Sequence, residues 1–299
     1  MKTILVTGTE GFIGGEVAKS LVLKGHLVIG LDSKPGKQFA PSVVADISST
    51  NLNELLETYN FESIIHCAAQ TDVRISAEDP FSDLLVNGFG TLNLVKYAEY
   101  AGIESFIYIN SGGAIYANDE IPLNEKSRIG PASPYGLSKY VGEEYLRILT
   151  GRSGIKWSSL ALSNVYGDIT QNSKGVIYEF AKAIKGKTPP IIYGSEVTRD
   201  FIHINDVVAA VNFSLDKPTN ERLNISSNIE TSIYEIYKMV AAQLNYEKPP
   251  QIEAPRFGEI TRSRLDNSRA REQIGWLPSI DIISGIRDSL KNVNDETTF

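Results

Sequence analysis

A single cysteine, Cys67, excludes an internal disulfide, and three scattered histidines supply no metal-ligand spacing, so a zinc centre is not expected. Cys67 ends the apolar run Ile64-Ile65-His66-Cys67-Ala68, which reads as a strand residue rather than a nucleophile. His66 and His203 lie in similar runs and read as structural. No apolar stretch is long enough to cross a bilayer. There is no surplus of positive charge: the net charge is −7, which argues against nucleic acid or an anionic membrane surface as a main partner. The first residues already form an apolar strand, which leaves no room for a signal peptide. These absences fit a cytoplasmic, metal-free enzyme with one or two domains in its 299 residues. Internal repeats and low-complexity segments are also lacking, and the polar tail from Asn292 is expected to fray.

What is present starts at the N-terminus. Ile4, Leu5 and Val6 read as a buried strand, and Gly8, Gly11 and Gly14 follow at spacings of three. Val17, Ala18, Leu21 and Val22 then recur at helical spacing. A strand therefore feeds a helix through a glycine turn. Gly11 lets the backbone approach a pyrophosphate, Gly14 allows close helix–strand packing, and the helix N-terminus offers free N–H groups. A second apolar strand, His26 to Leu31, ends at Asp32, where a carboxylate can bind both ribose hydroxyls of a dinucleotide. The same carboxylate repels a 2′-phosphate and favours NAD over NADP, a preference that Lys34 and Lys37 weaken slightly.

Strands and helices alternate through the first half. Strands are expected at Val43–Ala45, Ser63–Cys67, Ser105–Ile109 and Trp157–Leu162. Helices are expected at Leu52–Tyr59, from about Pro80 to Ala101, and from Ser133-Pro134. This predicts a doubly wound parallel (Rossmann) α/β sheet. Its carboxyl edge, at Gly8, Asp32, Asp46, Ala68, Ser111 and Ser163, should surround one ligand cleft. After Tyr166 the elements shorten, with helices expected at 176–185, 205–215, 232–244, 268–274 and 282–291. The expected organisation is a dinucleotide-binding domain over 1–165 and a smaller α/β substrate domain over 166–299, with 202–215 packing back onto the first.

Tyr135-Gly136-Leu137-Ser138-Lys139 places a phenol and an amine four apart, on one helix face. A neighbouring ammonium stabilises phenolate, so Tyr135 could take a proton from a substrate hydroxyl. Leu137, Val141, Tyr145 and Ile148 are expected to form the buried face of this helix.

With these residues in view, the chain resembles the NAD-dependent epimerase/dehydratase family of extended short-chain dehydrogenase/reductases, and most of all its UDP-glucose 4-epimerase branch. The resemblance rests on Thr7 to Gly14, Ala68-Ala69-Gln70, Asp79-Pro80, Asn87 with Gly90-Thr91, Ser111 to Tyr116, and Tyr135 with Lys139. It continues through Asn164 to Gly167, Arg199 to His203 and Pro255-Arg256-Phe257-Gly258-Glu259. It implies that Tyr135, Lys139 and Ser111 are catalytic. It implies that Gly8, Gly11, Phe12, Ile13, Gly14, Asp32, Ala68, Ala69, Gln70, Asn87, Tyr135 and Lys139 hold NAD, with Asp46 and Ile47 bordering the adenine. It implies that Ser111, Tyr135, Asn164, Arg199 and Arg256 meet a nucleotide-diphosphate sugar, a UDP-hexose. A homodimer formed by the helices from Pro80 and Ser133 is implied as well.

Two departures from the family stand out. The usual serine or threonine four residues before Tyr116 is Gly112, which leaves Ser111, Tyr116 or a water to bind the sugar 4-oxygen. Ala161 stands where relatives often carry arginine. Family dehydratases place an acid and a base at the two positions that here are Gly113 and Ala114, and decarboxylating relatives keep a glutamate at the latter. Neither chemistry is served. Proton and hydride transfer at C4 remains, as 4-epimerisation. The alternatives are a 4-keto reductase that consumes its cofactor, and a dinucleotide-sensing protein without turnover.

Overall fold

The computed structural model describes residues 1–36, 41–49, 52–117, 121–170, 174–255 and 260–291. Lys37, Arg256 and the tail from Asn292 lie outside them. The strands in chain order are β1 (Thr3–Thr7), β2 (Leu27–Asp32), β3 (Ser42–Val44), β4 (Ser63–His66), β5 (Ser105–Ser111), β6 (Lys156–Leu162), β7 (Asn164–Tyr166), β8 (Ile191–Tyr193), β9 (Thr198–His203), β10 (Glu221–Ile225), β11 (Glu230–Ser232) and β12 (Gln251–Glu253). Seven of them form one parallel sheet in the order β10-β6-β5-β4-β1-β2-β3. The order reverses between β1 and β4, which opens a crevice at their carboxyl ends. β1 and β4 are apolar and almost wholly buried because helices cover both sheet faces. The expected doubly wound sheet is therefore present.

The sheet also takes in β10, a strand from well beyond residue 165 that the sequence pattern did not single out. Helix Ile204–Asp216 packs on helix Phe12–Leu23 through Val207, Val211 and Leu215, and Trp276 shares this core. A separate core lies under helices Val176–Lys185 and Ile233–Gln243, around Phe180, Ile236 and Val240.

Two helices differ from expectation. The first runs only from Leu52 to Leu56. The run from Pro80 to Ala101 is interrupted by a π turn, Leu85–Phe89, which widens the helix and buries Asn87 and Gly88. Helix Pro134–Ser153 starts where predicted. Ser133 accepts the N–H of Gly136 at 3.2 Å, proline occupies the first turn, and Gly154 ends it in the left-handed region. Its buried face is not the predicted one. Leu137, Tyr145 and Ile148 are exposed, and Lys139, Gly142, Glu143 and Leu146 point inward. Gly142 explains the reversal: a Cβ there would stand 2.9 Å from the Tyr108 hydroxyl and 3.0 Å from the Asn87 carbonyl, so this side lies flush against β5 and the π turn.

Glu143 is buried and takes two hydrogen bonds from the Arg222 Nε of β10, at 2.9 and 3.1 Å, with further bonds from Arg222 Nη2, Asn110 and Ser159. Removing one partner of such a pair leaves an uncompensated charge. Arg222→Met is expected to cost about 3–5 kcal/mol in urea denaturation, and Glu143→Met/Arg222→Met together far less. A double variant as unstable as the single one would contradict this account of the pair.

Candidate active site

The glycine turn closes on itself. Gly8 has φ +75°, its N–H donates to Leu31 at 2.7 Å, and a Cβ on it would stand 2.8 Å from the Ala68 nitrogen of the neighbouring β4 loop. A Cβ on Gly14 would lie 2.1 Å from the Gly8 carbonyl, so only glycine lets the helix sit this close. Helix Phe12–Leu23 is capped by Gly11 with no side-chain acceptor. Its first-turn N–H groups therefore face outward for an anion. Asp32 ends β2, and its carboxylate accepts the N–H groups of Glu10 (2.9 Å) and Lys34 (3.0 Å), which fixes it beside the turn. Asp46 is exposed and accepts Ser48 N–H at 2.8 Å, and Ile47 is buried against Gly90. Phe12 and Ile13 open the first helix, half-buried against the sheet core. These parts fit a dinucleotide: a glycine cradle, an open helix N-terminus and a fixed carboxylate.

At the next strand ends, Ala68 donates its N–H to Thr7 Oγ at 3.1 Å, and Ala69 and Gln70 follow. The Gln70 N–H donates to Asn87 Oδ1 at 2.9 Å, and Asn87 Nδ2 returns to the Gln70 carbonyl at 2.9 Å. Asn87 Nδ2 also reaches Ser138 Oγ at 3.1 Å. His66 is held between Thr7 (2.8 Å) and Thr91 (3.0 Å), and burial, helped by Lys139, lowers its pKa well below the ordinary value. His203 accepts the Asn205 N–H as a helix cap.

Lys139 is 3% exposed. Its Nζ donates to the Ile109 carbonyl at 2.8 Å and lies 4.2 Å from the centre of the Tyr108 ring. Burial pulls its pKa down to about 7, against the opposing effects of Cys67, Asp83 and Glu143. Burial pushes the Cys67 thiol up to about 12, which fits a strand residue rather than a nucleophile. Tyr135 is half-buried one turn before Lys139, and its N–H donates to Ser76 Oγ at 3.1 Å. Burial raises the Tyr135 pKa; a hydrogen bond with the Ser111 side chain works the other way, and Asp83 adds to the rise. The expected lowering of the phenol by Lys139 is not seen: burial leaves the Tyr135 pKa raised, and the groups that act on it are Ser111 and Asp83.

Ser111 ends β5, and its N–H donates to Asn110 Oδ1 at 2.8 Å. The structure therefore brings Ser111, Tyr135 and Lys139 together. It also accounts for Gly112: a Cβ there would lie 2.4 Å from Leu265 Cδ1 and 3.1 Å from the Ala161 carbonyl. Ala161 is fully buried in a cluster with Ile115, Tyr116, Leu123 and Leu265. Leu265 is the residue that ties both departures together, and its N–H is held at 3.3 Å by the buried Asp200. Tyr116, the other candidate for the 4-oxygen, donates its hydroxyl to Asn224 at 2.8 Å. Gly113 opens on free space.

Asn164 and Arg199 line a cleft of about 1070 Å³ together with Arg74, Lys174 and Tyr193. Arg199 Nη1 donates to the carbonyls of Thr198 (2.8 Å) and Ile260 (2.7 Å), which orients the guanidinium. The cleft wall continues through Asp72 and Val73 into helix Val73–Glu78, whose Ser76 holds Tyr135. Arg256 lies outside the described residues. Among the described residues, no cluster suited to a metal ion is found and no helix is long and apolar enough to cross a membrane. Sequence reasoning missed Asp83, Asn110, Glu143 and Leu265. Asp83 and Glu143 stand four residues from Asn87 and Lys139, which is the one local signal that they share a face with the site.

A Rossmann sheet with a glycine turn, a carboxylate fixed at the end of β2 and a Tyr–Lys pair one helical turn apart defines a dinucleotide-dependent enzyme of the short-chain dehydrogenase type. A family model described as the NAD dependent epimerase/dehydratase family matches residues 4–229, and the chain belongs to that family. A UDP-glucose 4-epimerase from Mycolicibacterium smegmatis is 35% identical over 96% of this chain and 97% of its own. The crystal structure of a UDP-glucose 4-epimerase from Thermotoga maritima, with UDP-glucose, has a TM-score of 0.92 at 31% identity, covering 96% of this chain and 97% of that one. A Thermus thermophilus UDP-glucose 4-epimerase in complex with NAD has a TM-score of 0.88 at 28% identity, covering 96% and 97%.

The buried lysine has a linkage consequence. Its native pKa of about 7 lies below the unfolded value of 10.5, so between them the unfolded chain binds the extra proton. Stability contributed through Lys139 therefore rises as pH increases across that window. Chemical denaturation from pH 7 to 10 should show a steeper rise for the wild type than for Lys139→Met. An equal or shallower wild-type slope would remove the lysine from the account.

Proposed function

We propose that the chain is a nucleotide-sugar 4-epimerase that interconverts UDP-glucose and UDP-galactose. The observation that carries this reading is the pairing of the Ser111 and Tyr135 hydroxyls, one helical turn from the buried Lys139. Tyr135 accepts the proton of the sugar 4-hydroxyl and returns it, Ser111 holds the 4-oxygen between the two half-reactions, and Lys139 supplies positive charge beside the phenol. Bound NAD supplies the acceptor and donor of hydride at C4. Gly8, Gly11, Phe12, Ile13 and Gly14 would hold its pyrophosphate, Asp32 its ribose, and Asp46 and Ile47 its adenine side, with Ala68, Ala69, Gln70 and Asn87 along the strand ends. The glycine at 113, facing open space, supports the reading because an acid for dehydration has no side chain there.

Asn164, Arg199 and Arg256 take the substrate diphosphate; a planar guanidinium suits paired phosphate oxygens. The division of labour is a dinucleotide unit over 1–165, joined by 202–215, by β10 and by the segment around Trp276, and a substrate unit made of the rest of 166–299. The single thiol supports a cytoplasmic setting. For assembly, Phe81, Leu84, Leu85 and Phe89 on one helical run, and Leu137, Tyr145 and Ile148 on the other, are all exposed. Two packed helices with bare apolar faces support a homodimer closed by a two-fold, isologous four-helix contact. Light scattering at micromolar concentration should give the dimer mass, and a monomer would contradict it.

The test of function is incubation with UDP-galactose and NAD while following UDP-glucose and absorbance at the NADH band. Interconversion with no net cofactor change is expected. Tyr135→Phe should nearly abolish it, and Ser111→Ala should cost on the order of 10²-fold in kcat. Stoichiometric cofactor consumption would point instead to a 4-keto reductase, and no turnover at all to a sensing protein.

A further inference from the structure

We propose that Asp83 is the buried anion that sets the charge state of the Tyr135–Lys139 couple, acting through that couple without touching substrate. The inference rests on the reading of Tyr135 and Lys139 as the proton-handling pair. Asp83 is 1% exposed, on the short helix Pro80–Leu84. Its Oδ1 accepts from Gln70 Nε2 at 2.9 Å and from Asn87 Nδ2 at 3.1 Å. Its Oδ2 is buried with no partner. Both donors are neutral amides, and among the described residues no Lys or Arg forms an ion pair with it. A carboxylate in that state is costly to bury. It stands where the cost has a use. Asn87 joins Asp83 to Ser138, and the Ser138 hydroxyl donates to the Tyr135 carbonyl at 3.0 Å, so the charge is fixed beside the helical turn that carries the couple.

The other groups around Lys139 are neutral or, in the case of Glu143, already paired with a cation. His66 is kept neutral between Thr7 and Thr91. The Cys67 thiol and the Tyr108 phenol are buried and held protonated. Glu143 lies on the same helix, but Arg222 occupies both of its oxygens. Asp83 is the anion left over. Its field favours protonation of both Lys139 and Tyr135, and so opposes the loss of the lysine proton that burial drives.

This gives a signature that a structural role does not. Removing one anion that faces two titrating groups moves both of their pKa values down together. The experiment is the pH dependence of kcat for UDP-galactose conversion by the NAD-loaded wild type, Asp83→Asn and Asp83→Ser. In either neutral variant both limbs of the profile should move to lower pH, by about one unit. Ser138→Ala cuts the same hydrogen-bonded set without removing charge, and should move neither limb. Two neutral variants are used so that failure of one to fold leaves the other to decide. A lowered plateau with unmoved limbs, limbs that move in opposite directions, or an equal shift in Ser138→Ala would each overturn the role of Asp83. Tyr135→Phe, run alongside, separates this from the underlying reading. Retained activity there sinks the couple itself; lost activity with unmoved limbs in the Asp83 variants sinks only Asp83.

Discussion

An ammonium taken out of water in the middle of an α/β layer is the constraint around which this site is built. Lys139 has one hydrogen-bond acceptor, the Ile109 carbonyl, and one aromatic face, that of Tyr108. Neither balances its charge. Carboxylates approach from two sides: Glu143 one turn along the same helix, and Asp83 from the helix packed across it. Glu143 is in turn pinned by Arg222 on β10, so the outermost strand of the sheet is tied to the site by the same electrostatics that tune it. Position follows from charge here. The helix turns its small and polar side inward, where Gly142 lets it approach β5 and Lys139 reaches the Ile109 carbonyl.

Close approach is the second theme, and it explains what the family pattern leaves open. Leu265 occupies the volume that a side chain at position 112 would need, and it packs in one cluster with Ala161. Ser111, one residue earlier, ends β5 with its side chain hydrogen-bonded to the Tyr135 phenol, and in the proposed reaction it takes the place of a hydroxyl at position 112.

Local patterns made much of this visible in advance. Three glycines after an apolar strand, an acid at the end of the next, and a Tyr–Lys pair four apart are all encoded within short stretches, and the alternation of elements gives the parallel sheet. What escaped depends on contacts between distant residues. The apolar residues Leu137, Tyr145 and Ile148 look like a core face by periodicity, yet the packing against β5 and the π turn selects the glycine side. β10 carries Glu221, Arg222 and Asn224 in a five-residue strand, so hydrophobic alternation could not reveal it. Asp83 looks like an ordinary exposed helix acid until the π turn rotates Asn87 and its neighbours inward. The pairing of Gly112 with Leu265 spans more than half the chain, and no local rule reports it.

In the proposed reaction hydride leaves C4 and returns to the same carbon while Tyr135 handles only the hydroxyl proton. It is tested most directly by isotope retention. UDP-galactose carrying deuterium at C4 is converted in ordinary water, and unlabelled UDP-galactose is converted in D₂O, with the UDP-glucose read by mass spectrometry and proton NMR. The account predicts that the C4 deuterium is kept in the first experiment and that no solvent deuterium appears at carbon in the second. Washout of the label, or solvent deuterium bound to C4, would mean that the carbon is deprotonated rather than oxidised, and would contradict it.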